Sequence, residues 1–258
     1  AEAEEEAQES NSFFGNDSNS SFGRSISDAN VAVATARRIV EEHRDDLAAI
    51  IVEPIQGEVG VRPLSSEFLQ TIRKWTRERN IALILDEVQC GLGRAGTFFA
   101  YEPSGIRPDL ICTAKPLGGG LPMGAIILSK QVADVITPGD HGTTFGGGPL
   151  ISTVALAVLG VVGDPSFLQQ VRSKGDRLAG LLKRLAERTP GLVSDLRGRG
   201  LFWGVELSVP VAPVIERARE GGLLIVPSGA HVLRLLPPLT VTEAEINCAA
   251  MILEEALP

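Results

Sequence analysis

Two short apolar runs, each stopping at a single charged residue, limit what this chain can fold into more than anything else in it. Ile81–Leu85 (IALIL) ends at Asp86, and Leu110–Ala114 (LICTA) ends at Lys115. Short aliphatic runs with charge only at their ends read as strands of a parallel sheet covered on both faces. Upstream, DLAAIIVEPIQGEVGV (Asp46–Val61) holds a third such run, ending at Glu53. The segment between it and Asp86, SSEFLQTIRKWTRERN (Ser65–Asn80), reads as an amphipathic helix. Phe68, Leu69, Ile72 and Trp75 share a face, Ser65 or Ser66 can cap it, and Asn80 can stop it. Strand, helix, strand implies a right-handed crossover and parallel strands. Asp86 and Lys115 are then expected at the same carboxyl edge of one sheet, where open α/β sheets bind ligands.

A carboxylate and an amine so placed suit pyridoxal phosphate (PLP). That cofactor needs a lysine to bond its aldehyde and an acid to keep its ring nitrogen protonated. On spacing alone, a buried aspartate beside a surface lysine, both structural, is an equal reading. The surrounding wording breaks the tie. LDEVQCGLGRAGTFFAYE (Leu85–Glu102), PDLICTAKPLGGGLPMGA (Pro108–Ala125) and HGTTFGGGP (His141–Pro149) follow one another in the order found in class III aminotransferases of PLP fold type I, and the chain resembles that family. VPVAPVIERARE (Val209–Glu220), GGLLIV (Gly221–Val226) and VLRLLPPL (Val232–Leu239) make the acetylornithine branch, in its plant plastid form, the nearest match. The resemblance runs from about Ala49 to Pro258 and matches the carboxyl-terminal two-thirds of such enzymes.

The resemblance implies roles at matching positions. Lys115 would bond the cofactor and move the proton, and Asp86 would hold the ring nitrogen. Val88 would pack on the ring, and Gln89 would hydrogen-bond its phenolic oxygen. Thr144, with Thr143 beside it, would reach the phosphate of a neighbouring subunit, so that a homodimer shares its sites. Hydroxyls and N–H groups in the glycine-rich 141–149 stretch suit a phosphate. Arg234, flanked by Leu233 and Leu235, offers a planar fork for a carboxylate. In the family this arginine grips the substrate carboxylate, and Glu58 neutralises it in one half-reaction and frees it in the other. Val59 is bulkier than the small residue that usually follows this glutamate. The implied substrates are N-acetylornithine and 2-oxoglutarate, in arginine synthesis. Ornithine or 4-aminobutyrate transamination, or a non-catalytic half-subunit, are the alternatives. The implied location is plastid or mitochondrion, with the cytoplasm as alternative.

Local chemistry adds further expectations. Pro116 should hold Lys115 extended at its strand end. Met123–Ser129 should be another buried strand, and GLGRAG (Gly91–Gly96) a flexible turn without nucleotide-loop context. Pro149–Val162 reads as an apolar helix. The next helix has Asp164 as cap and Pro165 in its first turn, and the last opens with a Thr242/Glu245 capping box. Trp203, in a strand–turn–strand segment (Val193–Leu207), reads as core.

Of the net charge of −8, residues 1–30 carry −6, with seven acids against Arg24, which leaves the remainder near neutral. No basic patch points to nucleic acid and no apolar run reaches membrane length. The three cysteines, Cys90, Cys112 and Cys248, show no metal or disulfide spacing. Residues 1–30, rich in Glu, Ser, Asn and Gly, read as a disordered tail. A helix is expected from Asn30 to about His43. Opening on Ala1 without Met, the chain reads as processed or as a piece of something longer. The acidic front is not the composition of a transit peptide. The expected fold is α/β: part of a large PLP-binding domain with a mostly parallel sheet (31–155), its front half missing, then a smaller α+β domain (156–258).

Overall fold

The computed structural model describes residues 25–43 and 45–258, with side chains from residue 31 onward. The chain divides after Ala48 into two units. The first contributes one helix, α1 (Ser25–Glu42), which opens five residues before the expected Asn30. The disorder expected over residues 1–30 is corrected at 25–30, which belong to this helix, and for residues 1–24 the expectation lies outside the described residues.

In the second unit the strand–helix–strand reading holds. β1 (Ala49–Val52) is followed by a small hairpin, β2 (Ile55–Gln56) and β3 (Arg62–Pro63). Then come α2 (Ser66–Glu78) and β4 (Ala82–Asp86). Ser65 caps α2 by accepting from Phe68 N, and beyond the helix end at Glu78 the chain turns away at Asn80 in a left-handed conformation (φ 54°). Its buried face is Leu69, Ile72 and Thr76, while Phe68 and Trp75 stay half-buried. Burying each aliphatic side chain contributes about 1.5–3 kcal/mol. β5 (Leu110–Thr113) and β6 (Ala125–Leu128) complete a four-stranded sheet of order β1-β4-β5-β6. β1, β4 and β5 are parallel, and β6 runs antiparallel at the edge.

The fourth strand departs from the expected buried one. Ile126 and Ile127 are 61% and 46% exposed. An apolar run has the same wording whether or not a further layer covers it, and among the described residues β6 lies at an edge.

One ion pair fixes the central register. Arg73 on α2 forks onto Asp109, just before β5, at 2.6 and 3.1 Å. Asp109 also accepts from Leu83 N in β4 at 2.8 Å. Helix and both strands are therefore pinned at one carboxylate, and Ile84 pairs with Leu110 and Asp86 with Cys112.

A short helix α3 (Lys130–Ala133) leads to the 141–148 loop and then to α4 (Pro149–Val162) and α5 (Pro165–Arg188). The second sheet is antiparallel, of order β7-β8-β10-β9. It contains β7 (Val193–Arg199), β8 (Phe202–Leu207), β9 (Val226–Pro227) and β10 (Val232–Leu235). α6 (Ala212–Glu220) lies between β8 and β9, and α7 (Glu243–Ala256) closes the chain. Val171, Leu178, Leu182 and Leu185 of α5 share a core with Val205, Leu233, Ile246 and Leu253, and Trp203 packs against it as expected. The expected caps are present: Asp164 accepts from Ser166 N, and Thr242 and Glu245 form the reciprocal box. Among the described residues no single helix is long and apolar enough to cross a membrane.

Candidate active site

Strand order brings the two charged run-ends to one edge. Asp86 is the last residue of β4, its Cα partner in β5 is Cys112, and Lys115 follows three residues on. Asp86 Oδ1 accepts from Val88 N at 3.0 Å, so the turn after β4 orients its own carboxylate.

Lys115 is not extended. β5 stops at Thr113, and Lys115 opens a 3₁₀ turn, Lys115–Gly118, with φ of 41°. Pro116 disfavours the right-handed helical region for the residue before it. To turn at once, Lys115 takes the left-handed one instead, at a cost of about 1–2 kcal/mol. The turn buries Leu117 beside Leu92, Ala155 and Val162. That burial is worth about 1.5–3 kcal/mol and offsets the strain. The lysine itself is exposed.

A second group meets this edge from the other sheet. Arg234, on β10, has a side chain 13% exposed. Its Nη1 donates to Glu58 Oε1 at 2.6 Å, Gly57 O at 2.9 Å and Gln89 Oε1 at 3.3 Å. Gln89 Nε2 in turn donates to Glu58 Oε1 at 2.9 Å. Glu58, Gln89 and Arg234 thus form one triangle, three residues from Asp86. The hydrogen bond from Arg234, then that from Gln89, holds the Glu58 carboxyl below the usual glutamate range. Arg234 Nε is buried without a partner. A Cβ at Gly57 would stand 2.3 Å from Gln89 Oε1 and push that amide out of the triangle.

Glu53, noted in the sequence only as flanking this loop, sits among the charges. Burial pushes its carboxyl up, Gly57 N–H opposes that, and Asp86 and Glu58 add repulsion that Lys115 partly offsets.

The GLGRAG stretch is rigidly held, against expectation. Gly91, Leu92, Gly93, Ala95 and Gly96 are all buried. Two groups missed in the sequence hold it. Glu87, 1% exposed, accepts from Ala100 N (2.9 Å), Tyr101 N (3.0 Å) and Cys90 Sγ (3.3 Å), and burial raises its carboxyl. Arg94 Nη1 donates to the carbonyls of Leu201 (3.0 Å) and Pro237, and burial lowers its guanidinium to about 10. Other links to the second sheet and α5 have the same form. Arg197 Nε donates to Gly60 O (2.7 Å), Arg199 Nη1 to Ala100 O (2.7 Å) and Arg172 Nη1 to Gly96 O (2.7 Å). The sequence signal was thin: a second acid after a strand-end Asp, and single arginines in glycine-rich wording.

Thr143 and Thr144 stand apart. They lie in the exposed 141–148 loop, and no hydrogen bond among the described residues joins them to the cluster.

With this geometry fixed, the decisive comparison is the family model for class-III aminotransferases, which matches residues 12–257. The chain belongs to the class-III aminotransferases. It is 46% identical over 212 residues to the acetylornithine aminotransferase of Bacillus subtilis (strain 168), covering 82% of this chain and 54% of that one. With the mitochondrial acetylornithine aminotransferase of Alnus glutinosa it shares 42% over 228 residues, covering 88% and 50%. The solved N-acetylornithine aminotransferase from Stenotrophomonas maltophilia K279a has a TM-score of 0.78 at 34% identity, covering 87% of this chain and 59% of that one. The chain spans about half the length of the curated relatives it matches. Its fold is that of the PLP-dependent fold type I aminotransferases, in part.

Pyridoxal phosphate is the cofactor of this class-III aminotransferase family, and the residues at the sheet edge fit it. An exposed amine, Lys115, stands at one strand end. A carboxylate already oriented by Val88 N, Asp86, stands at the next. An amide, Gln89, lies beside them. For the phosphate, the exposed 141–148 loop offers the hydroxyls of Thr143 and Thr144 and its backbone N–H groups.

Proposed function

We propose that the chain carries the catalytic and carboxylate-binding parts of an aminotransferase that moves the side-chain amino group of N-acetylornithine to 2-oxoglutarate. What supports this is the Arg234–Glu58 pair, hydrogen-bonded to Gln89 at the edge where Asp86 and Lys115 emerge. Bound pyridoxal phosphate supplies the electron sink. Asp86 keeps the ring nitrogen protonated through charge and hydrogen bonding. Lys115 would hold the cofactor through its amine, and its free amine would move the proton at the substrate's amine-bearing carbon. Val88 and Gln89 orient the ring.

The two substrates differ at the site where Arg234 waits. A dicarboxylate presents an anion that the guanidinium fork can take. An amine donor presents no carboxylate there and would face an unpaired, nearly buried cation. Glu58 resolves the conflict: paired with Arg234 it neutralises the site for the donor, and withdrawn it frees the fork for 2-oxoglutarate.

Further parts of the reading concern the whole assembly. Residues 31–155 form part of a large domain and 156–258 a small one. Two copies share their sites, with Thr143 and Thr144 of one copy reaching the other's phosphate. The mitochondrial Alnus relative supports an organelle location.

A visible absorbance scan of the purified chain with added pyridoxal phosphate is the first test, followed by glutamate formation from N-acetylornithine and 2-oxoglutarate. A band from lysine-bonded cofactor and donor-dependent glutamate support the reading. Absence of both from a folded chain supports a non-catalytic half-subunit instead.

A further inference from the structure

Ser228 lies at the end of β9 and is 3% exposed. Its hydroxyl makes two hydrogen bonds, both to the loop that carries Glu58. It donates to Gly57 O at 2.8 Å and accepts from Gly60 N at 2.7 Å. One hydroxyl therefore ties together both shoulders of a loop 171 and 168 residues away in sequence. The main chain of Ser228 is itself fixed, because its N–H donates to Val232 O at 2.9 Å and closes the turn into β10. Two residues beyond Val232 on β10 stands Arg234, which donates to the same Gly57 O and to Glu58.

Between those shoulders the Glu58 side chain is held by Arg234 and Gln89 alone among the described residues. Glu58 is 66% exposed, and Val59 faces solvent. An exposed glutamate on a free loop would lose rotamer and backbone freedom each time it met Arg234. The hydroxyl removes part of that freedom beforehand, beside Arg197 Nε on Gly60 O (2.7 Å) and Arg62 Nε on Val59 O (3.0 Å). Serine suits the position because it donates and accepts at once, and an alanine there would leave Gly60 N–H buried without an acceptor.

We propose that Ser228 is a positioning residue that staples the Glu58 loop to β9 and so sets how firmly Glu58 closes on Arg234. Its consequence for substrate choice rests on the gating reading given above. A firm closure favours the amine donor, and a loose one favours the dicarboxylate.

The test is Ser228→Ala, with Ser228→Cys as a second variant of similar size, each checked for native far-UV circular dichroism. The first readout needs no turnover. The Glu58 carboxyl is followed by NMR in ¹³C-glutamate-labelled chain, assigned by its loss in Glu58→Gln. Around it lie Arg234, Gln89, Lys115 and the Glu53 carboxylate. In the parent chain Glu58 titrates below the ordinary glutamate range. In either variant its midpoint should move up toward that range. An unmoved midpoint in a folded variant overturns the proposal, whatever the activity. The second readout is the pair of Michaelis constants. The KM for 2-oxoglutarate should fall by roughly 3- to 10-fold, as a competent fraction of about a tenth to a third rises toward one, while that for N-acetylornithine rises. A titration that moves while both constants stand still upholds the staple and counts against the gating reading.

Discussion

Asp109→Ala should be strongly destabilising although Asp109 touches none of the site's reacting groups. Arg73 and Asp109 have side chains only 12% and 15% exposed. Removing the carboxylate strands a nearly buried guanidinium and leaves Leu83 N–H, which it accepts from at 2.8 Å, without its acceptor. Breaking a buried pair from one side costs about 3–5 kcal/mol. For a unit of this size that is a drop of about 6–20 °C in Tm, at roughly 2–4 °C per kcal/mol. Urea denaturation followed by circular dichroism reads the loss directly. The pH dependence has a definite sign. Burial pushes the Asp109 carboxyl up, but Arg73 and Leu83 N–H outweigh it and hold the group below the usual range. Its stabilisation is therefore complete above the unfolded value of about 3.9 and is lost as pH falls through the lower folded one. The variant should show a flatter acid limb below about pH 4. Pairing Arg73→Met with Asp109→Leu should recover part of the loss, because no charge is then left unpaired. A cost below about 1 kcal/mol for Asp109→Ala, or a double variant no better than the single, would refute the reasoning.

Borohydride reduction of the chain with pyridoxal phosphate, followed by peptide mapping, should place the label on Lys115, and Lys115→Ala should abolish it. A label on Lys130 or Lys174 would remove the assignment. Asp86→Asn should lower transamination far more than cofactor binding, since an amide cannot hold the ring proton; near-normal turnover would make Asp86 structural. Arg234→Lys should raise the KM for 2-oxoglutarate by about 10- to 150-fold, the equivalent of one charge-assisted pair at about 1.5–3 kcal/mol. An unchanged constant would leave the carboxylate site elsewhere.

What the sequence made legible is what short-range chemistry decides. Ser65, Asp164 with Pro165, and the Thr242/Glu245 box were readable because a cap and its partner lie within one helical turn. The shared edge of Asp86 and Lys115 was readable because a parallel crossover leaves few alternatives. The conformation of Lys115 was not, since Pro116 excludes one region without choosing between the others. The exposure of β6 was not, because hydrophobic wording is blind to whether a covering layer is present. Glu87, Arg94 and Ser228 escaped for a common reason: their role is defined by main-chain groups 13 to 171 residues away, and no spacing rule reaches that far.

Those long-range ties have a further consequence. Arg94, Arg197, Arg199 and Arg172 each donate to a peptide carbonyl across the boundary between structural layers. Every residue type presents the same carbonyl, so these contacts hold the course of the partner chain and ignore its side chains. The loop bearing Glu58 and Val59 is gripped in this way at Gly57 O and Gly60 O, while the Glu58 side chain meets Arg234 and Gln89 and the Val59 side chain faces solvent. A chain so assembled can exchange side chains along its loops while its scaffold stays put. Val59, 47% exposed, is a position where a side chain can change with that scaffold left in place.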